Sequence, residues 1–285
     1  MDFIDHLRRC NTWRPDIFRR FVVAGTPLGW VRDDFVAYLT RFPGLFTVNA
    51  ESVVLADRLA TLESRTAALH DFCRGMVADG LLPRLHDEDF AIAARWGEPP
   101  LLHLDRHVVP AFGVRAYGVH VNGYVEDGDR QSLWIGRRAA DKLVEPGKLD
   151  NMVAGGLPVG IGVLENVIKE AAEEADLPAT IAGKAKAAGA ITYCFDDVLG
   201  LKCDTMFVFD LALPAGLTPR NTDGEIVDFM LMDIDAVAAQ VRSGFDYKFN
   251  VALIIIDFLI RHGRLTPENQ PDYLDLVHGL RARLP

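Results

Sequence analysis

The chain has 285 residues, 49% of them hydrophobic and 25% charged, a composition that suits one large or two modest globular domains. Forty acidic residues against 30 basic ones leave a net charge of −10, which excludes the broad basic face that a nucleic-acid partner demands. Cys10, Cys73, Cys194 and Cys203 form no C-x-x-C pair, and MDFIDHLRRCNTW holds no apolar leader, so reduced thiols and a cytoplasmic location are expected.

Apolar spacing predicts helices over Phe3–Cys10 and Ile17–Phe21. β-favouring stretches follow at Gly29–Val31 and Leu45–Leu55, the second broken by Asn49. Leu59–Asp79 carries Leu62, Leu69, Phe72 and Met76 on one stripe and reads as a long helix ending at Gly80. A shorter helix is expected over Asp87–Trp96, with GEPP as its breaker. The chain divides near His103–Pro110. Residues 1–110 are expected to form a small, mostly helical α+β domain, and residues 111–285 a second domain.

In that second part Tyr117–Val125 alternates, Glu126–Arg130 turns, and Ser132–Arg138 is the partner strand. A helix is predicted over about Val163–Ala175, then strands near Ala190–Phe195, Asp204–Leu211 and Glu225–Met232. Helices are predicted over Ile234–Arg242, Tyr247–His262 and Pro267–Arg281. Mixed strands with helices on both sides suit an α/β/α sandwich. The longest apolar run, Val251–Ile260, contains Asp257 and is too short to span a bilayer, so no membrane partner is expected.

The most informative segment is Gly155–Leu177, GGLPVGIGVLENVIKEAAEEADL. A loop with Gly155, Gly156 and Gly160 leads into a helix whose Glu170, Glu173 and Glu174 share one face at spacings of three and four. Such a face is either solvated or neutralised by a cation, and oxygen ligands suit a hard divalent metal. The helix N-terminus favours anions, so metal and anion together suggest chemistry on a diphosphate. No zinc spacing links the histidines, and His120 reads as a packed or surface residue. Trp30 and Phe46 read as core, the alternative being rings that stack on a substrate. Gly160-Ile161-Gly162 is no dinucleotide fingerprint, because its third glycine falls at Glu165.

This segment resembles the signature of the Nudix hydrolases, G-x5-E-x7-R-E-U-x-E-E-x-G-U with U apolar, and keeps its spacing from Gly155 onward. Ile161 replaces the first Glu, Lys169 the Arg and Asp176 the last Gly. Lys169 keeps the charge that holds a carboxylate in place, and Glu165 is a partial substitute for the carboxylate lost at Ile161. Arg138, Lys142, Pro146, Gly147 and Asn151 resemble the frame of the branch with isopentenyl diphosphate isomerases, where the Arg and Lys face the diphosphate. The isomerase's cysteine motif is missing from DNMVAGG, which leaves hydrolysis. The two-part layout is similar to a group with some fungal members fused to thiamine pyrophosphokinase. Gly29–Val31, Leu45–Val48 and YKFNVALIIIDFLIRHG carry that likeness together with the frame and the box. That group is associated with converting thiamine diphosphate, especially its damaged forms, to the monophosphate.

The resemblance implies an α/β/α sandwich and Mg²⁺, with Mn²⁺ as a substitute, on Glu170, Glu173 and Glu174. It implies a small-molecule diphosphate as partner and a homodimer as the common assembly. Water attack would be aided by Glu174 as first choice of base and Glu225 as second. The box loop would help hold the anion, with Arg138 and Lys142 on the distal phosphate. Two further readings stay open: a hydrolase of a nucleoside diphosphate compound such as ADP-ribose, and a non-catalytic diphosphate-binding module.

Overall fold

A computed structural model of the chain describes residues 1–142 and 144–285. The N-terminal part begins with α1 (Phe3–Arg9), capped by the Asp2 carboxylate, which accepts from Phe3 N at 2.8 Å. β1 (Phe18–Val23), β2 (Thr26–Arg32), α2 (Asp33–Leu39), β3 (Phe46–Val48) and β4 (Ser52–Leu55) follow. The four strands form one sheet in the order β2-β1-β4-β3, antiparallel except where β1 meets β4. At Asn49 the chain turns between β3 and β4, its side chain accepting from Glu51 N and Ser52 N. α3 (Leu62–Ala78) starts at a Thr61–Ser64 capping box and packs Leu69, Phe72 and Met76 onto this sheet. The hairpin β5 (Asp89–Ile92) and β6 (Leu102–Asp105) and the short α4 (Val109–Phe112) close the N-terminal core.

Two expected helices are strands. Ile17–Phe21 falls mostly in β1, where Phe18, Phe21 and Val23 turn inward past a bulge. Pairing on both sides gives that backbone partners that an isolated single turn of helix lacks. Asp87–Trp96 contains β5, whose Phe90 and Ile92 are buried while Asp89 and Ala91 are less so, a period of two. The expected boundary at Pro110 lies inside α4, and the N-terminal core runs on through Val114 and Ala116. α1 faces the other way: Phe3 and Leu7 join the core of the second part.

That part is built on β7 (Arg115–Asp127) and β8 (Arg130–Arg138), joined by a turn with Gly128 at φ +60°. β9 (Leu149–Asn151), β10 (Val153–Gly156), α5 (Val163–Ala175), α6 (Ala179–Ala182), β11 (Lys186–Asp196), β12 (Leu201–Ala212) and β13 (Ile226–Asp233) follow. They make a mixed sheet in the order β11-β12-β7-β8-β13, with β10 on β7 and β9 on β8. β12 and β7 run parallel, and the other pairs are antiparallel. α5 covers one face through Val167, Ala171 and Ala175 against Val119, Val121 and Phe209. α7 (Ile234–Ser243), α8 (Phe249–Arg261) and α9 (Tyr273–Gly279) cover the other. The expected α/β/α sandwich is therefore present. α8 is buried on nearly every side, as its unbroken apolar run requires. α9 is shorter than expected, because Pro271 lacks the N–H that would continue a helix from Pro267. No helix among the described residues is long and apolar enough to cross a membrane.

Candidate active site

β10 delivers the chain to the loop 157–162, and three hydrogen bonds pin that passage. Leu157 N donates to Tyr117 O at 2.9 Å, Val159 N to Asp89 O at 2.9 Å, and Asn166 Nδ2 to Gly156 O at 2.7 Å. The second bond ties the loop to β5, so the N-terminal part helps to shape it. α5 then starts at Gly162, whose N–H donates to the Glu165 carboxylate at 3.4 Å. Glu165 is thus a helix cap on the exposed side and does not replace the carboxylate missing at Ile161.

The glycines have distinct roles. A Cβ on Gly155 would lie 2.3 Å from Glu170 Cδ, so the bare strand is what admits that carboxylate. A Cβ on Gly156 would lie 2.6 Å from Phe90 Cζ and 3.3 Å from Arg106 Cζ. Gly160 has open space around it and serves the turn, at φ +85°. At the end of α5, Asp176 takes the left-handed conformation at φ +54°, which explains why the signature calls for Gly there.

The three glutamates do not point to one place. Glu174 is buried and accepts from Ala154 N at 2.9 Å. Burial pushes its carboxyl well above the ordinary range, and the charges of Glu170, Asp150 and Glu225 push further. Glu170 is also raised by burial, even with Lys169 Nζ 3.1 Å away. Glu173 is exposed and pairs with Lys169 at 2.7 Å. Lys169 itself is held above its usual pKa: burial acts against it, but the two glutamates prevail. It therefore stands as the cationic partner of both glutamates.

Among the described residues no group of three or more His, Cys, Asp or Glu is arranged to hold a metal. The donor set nevertheless fits a hard divalent cation in kind. Glu170 and Glu174 offer carboxylate oxygens whose charged forms are disfavoured where they stand, and a cation would relieve that. Glu173 is instead exposed and paired with Lys169.

Two residues expected on the substrate are otherwise engaged. Arg138 is buried, with Nη1 on Asp150 at 2.6 Å, Nη2 on Val144 O at 2.8 Å and Nε near the carbonyls of Val144 and Glu145. Its fork is spent on holding the 144–150 turn, which corrects the expectation that it faces a phosphate. Lys142 Nζ pairs with Glu225 at 2.6 Å. Burial alone would raise the Glu225 carboxyl, but Lys142 outweighs it and the net direction is down. Glu225 still lies close enough to act on Glu174. Trp30 packs on Trp13 and under Arg20, and Phe46 is core, away from any ring-stacking role.

Sequence reasoning missed a buried polar chain beneath β10. His120 Nδ1 donates to Asn151 Oδ1 at 2.8 Å, and its Nε2 accepts from Asn250 Nδ2 at 3.2 Å. Asn151 continues to Asn122, which reaches Asp210. Burial holds His120 neutral, with a pKa of about 4. Polar residues at inward positions of the strands were the available signal.

Residues 2–116 match a family described as a domain of unknown function, DUF4743. The chain is 37% identical over 292 residues to Nudix hydrolase 20, chloroplastic, of Arabidopsis thaliana, covering 99% of this chain and 78% of that one. It is 38% identical over 283 residues to Nudix hydrolase 24, chloroplastic, of the same plant, covering 98% and 77%. Among solved structures, the E. coli dihydroneopterin triphosphate pyrophosphohydrolase aligns at 22% identity and a TM-score of 0.38, over 51% of this chain and 95% of that one.

Proposed function

Because the chain belongs to the Nudix hydrolase family, we propose that it hydrolyses a small-molecule diphosphate with Mg²⁺, Mn²⁺ substituting, and that its substrate is thiamine diphosphate or an oxidised form of it. The observation that carries the chemistry is the buried pair Glu170 and Glu174, set against Gly155 and Ala154. Glu170 and Glu174 would hold a divalent cation, which when bound would neutralise charge at the phosphate oxygens and lower the pKa of water. Water adds to the distal phosphorus, the bridging P–O bond breaks, and monophosphate and inorganic phosphate leave.

Glu174 takes the water proton. Its carboxylate is buried beneath β10, whereas that of Glu225 is tied to Lys142. The Ala154 N–H fixes the orientation of the Glu174 carboxylate, and Lys169 restrains Glu170. The thiamine assignment is supported by the segments Gly29–Val31, Leu45–Val48 and YKFNVALIIIDFLIRHG, which resemble the thiamine-linked group. A homodimer, common in the family, is the assembly proposed.

The test is product analysis by ³¹P NMR, with and without Mg²⁺, on thiamine diphosphate, its oxidised forms, ADP-ribose, a nucleotide sugar and isopentenyl diphosphate. Preferential conversion of the thiamine compounds to monophosphates supports the reading. Cleavage of nucleotide compounds alone keeps the chemistry and discards thiamine. No Mg²⁺-dependent product from any compound rejects both.

A further inference from the structure

Arg138 is buried against Asp150 and Lys142 is paired with Glu225, so both cations of the frame expected to bind the substrate's phosphate already have carboxylate partners. The N-terminal part supplies a further cation. Arg106 lies just past β6, with its guanidinium against Gly156, and its side chain is 39% exposed. Successive strand residues point to opposite faces, so the end of β10 has Glu170 beside Gly155 on one side and Arg106 beside Gly156 on the other.

The turn that carries Arg106 is built to hold it. Asp105 is buried, and its carboxylate accepts from the backbone N–H groups of His86, Asp87 and His107 at 2.9, 3.0 and 2.9 Å. Arg106 N donates to Glu88 O at 2.9 Å, and the guanidinium pairs with Glu88 at 3.0 Å and lies over the Phe90 ring, 5.9 Å from its centroid.

We propose that Arg106 binds the distal phosphate of the substrate at the end of β10, where Glu170 stands beside Gly155. This makes the N-terminal part a piece of the active site and rests on the diphosphate reading above. Arg106 also acts on Glu170 and Glu225, within electrostatic reach of the reacting groups.

The experiment pairs binding with kinetics. Inorganic pyrophosphate is titrated calorimetrically into the wild-type protein and the variants Arg106→Ala, Arg106→Lys and the remote control Arg8→Ala. KM and kcat are measured on whichever diphosphate the protein hydrolyses. Losing a hydrogen bond to a charged group is expected to weaken pyrophosphate binding about tenfold or more in Arg106→Ala and to raise KM in parallel, with kcat changed less than about threefold. Arg106→Lys should recover part of the loss, and Arg8→Ala none should show. Wild-type affinity and KM in Arg106→Ala, or no pyrophosphate binding by the wild type, overturn the proposal. Loss of pyrophosphate binding in Arg106→Ala from a protein that hydrolyses no diphosphate upholds Arg106 as the anion ligand and rejects the hydrolytic reading instead.

Discussion

Gly155→Ala isolates the geometry of the carboxylate pair. A Cβ on Gly155 would stand 2.3 Å from Glu170 Cδ and 2.7 Å from its Oε1. Ordinary carbon–carbon contact begins near 3.5 Å, so the Glu170 carboxyl must move by about 1.2 Å. The atoms in the way are the end of a flexible side chain, and Gly155 does not have a positive φ. Stability should therefore fall by no more than about 1 kcal/mol, the cost of an off-rotamer side chain. Activity should fall far more, because a displacement of about 1 Å at a reacting centre costs on the order of a hundredfold. The assay is kcat/KM at saturating divalent cation beside a urea unfolding midpoint. A double-mutant cycle sharpens it: Gly155→Ala in a Glu170→Ala background should cost almost nothing more. Turnover within threefold of wild type in Gly155→Ala, or full additivity with Glu170→Ala, would refute the argument.

Other substitutions probe the frame around the site. Arg138→Ala leaves Asp150 buried without its closest partner, and should cost about 3–5 kcal/mol in urea unfolding; a variant of wild-type stability would show that the ion pair is idle. Asp176→Gly relieves a left-handed non-glycine residue, and should raise stability by up to about 1 kcal/mol with unchanged kcat; a loss of stability would contradict the strain. His120 should make stability pH-dependent. Its pKa is about 4 when folded and 6.5 when free, so between these values the unfolded chain binds the extra proton. Its contribution is complete above pH 6.5 and is lost as pH falls toward 4, a span worth about 3 kcal/mol. Unfolding at pH 7.5 and pH 5 should show a smaller drop in His120→Gln than in wild type, and equal drops would remove His120 as the cause.

What could be read from the sequence was what lies close along the chain. The box helix occupies Val163–Ala175 as expected, because apolar periodicity and flanking glycines act within one element. The β7–β8 hairpin was legible for the same reason, from alternation around Gly128. The misread segments, Ile17–Phe21 and Asp87–Trp96, are short, and their pairing with distant strands decided their form. Charges behaved likewise. Glu170 and Glu173 were placed on one face, but nothing local showed that Glu173 stays outside with Lys169 while Glu174 is sealed beneath Ala154. Arg138 matched a frame, yet its fork closes on Asp150 of β9. Arg106 lies in no motif and reaches Gly156 only through the docking of β5 and β6 on the box loop.

The most direct measurement is divalent-dependent release of phosphate from the preferred diphosphate by the wild type and Glu174→Gln, with unfolding midpoints taken on both. The account expects Mg²⁺ to be required by the wild type, and Glu174→Gln to keep the fold while losing about 10²- to 10⁴-fold in kcat, the range for a removed general base. Glu174→Gln with wild-type kcat would contradict the assignment of the buried carboxylate pair as the reacting centre.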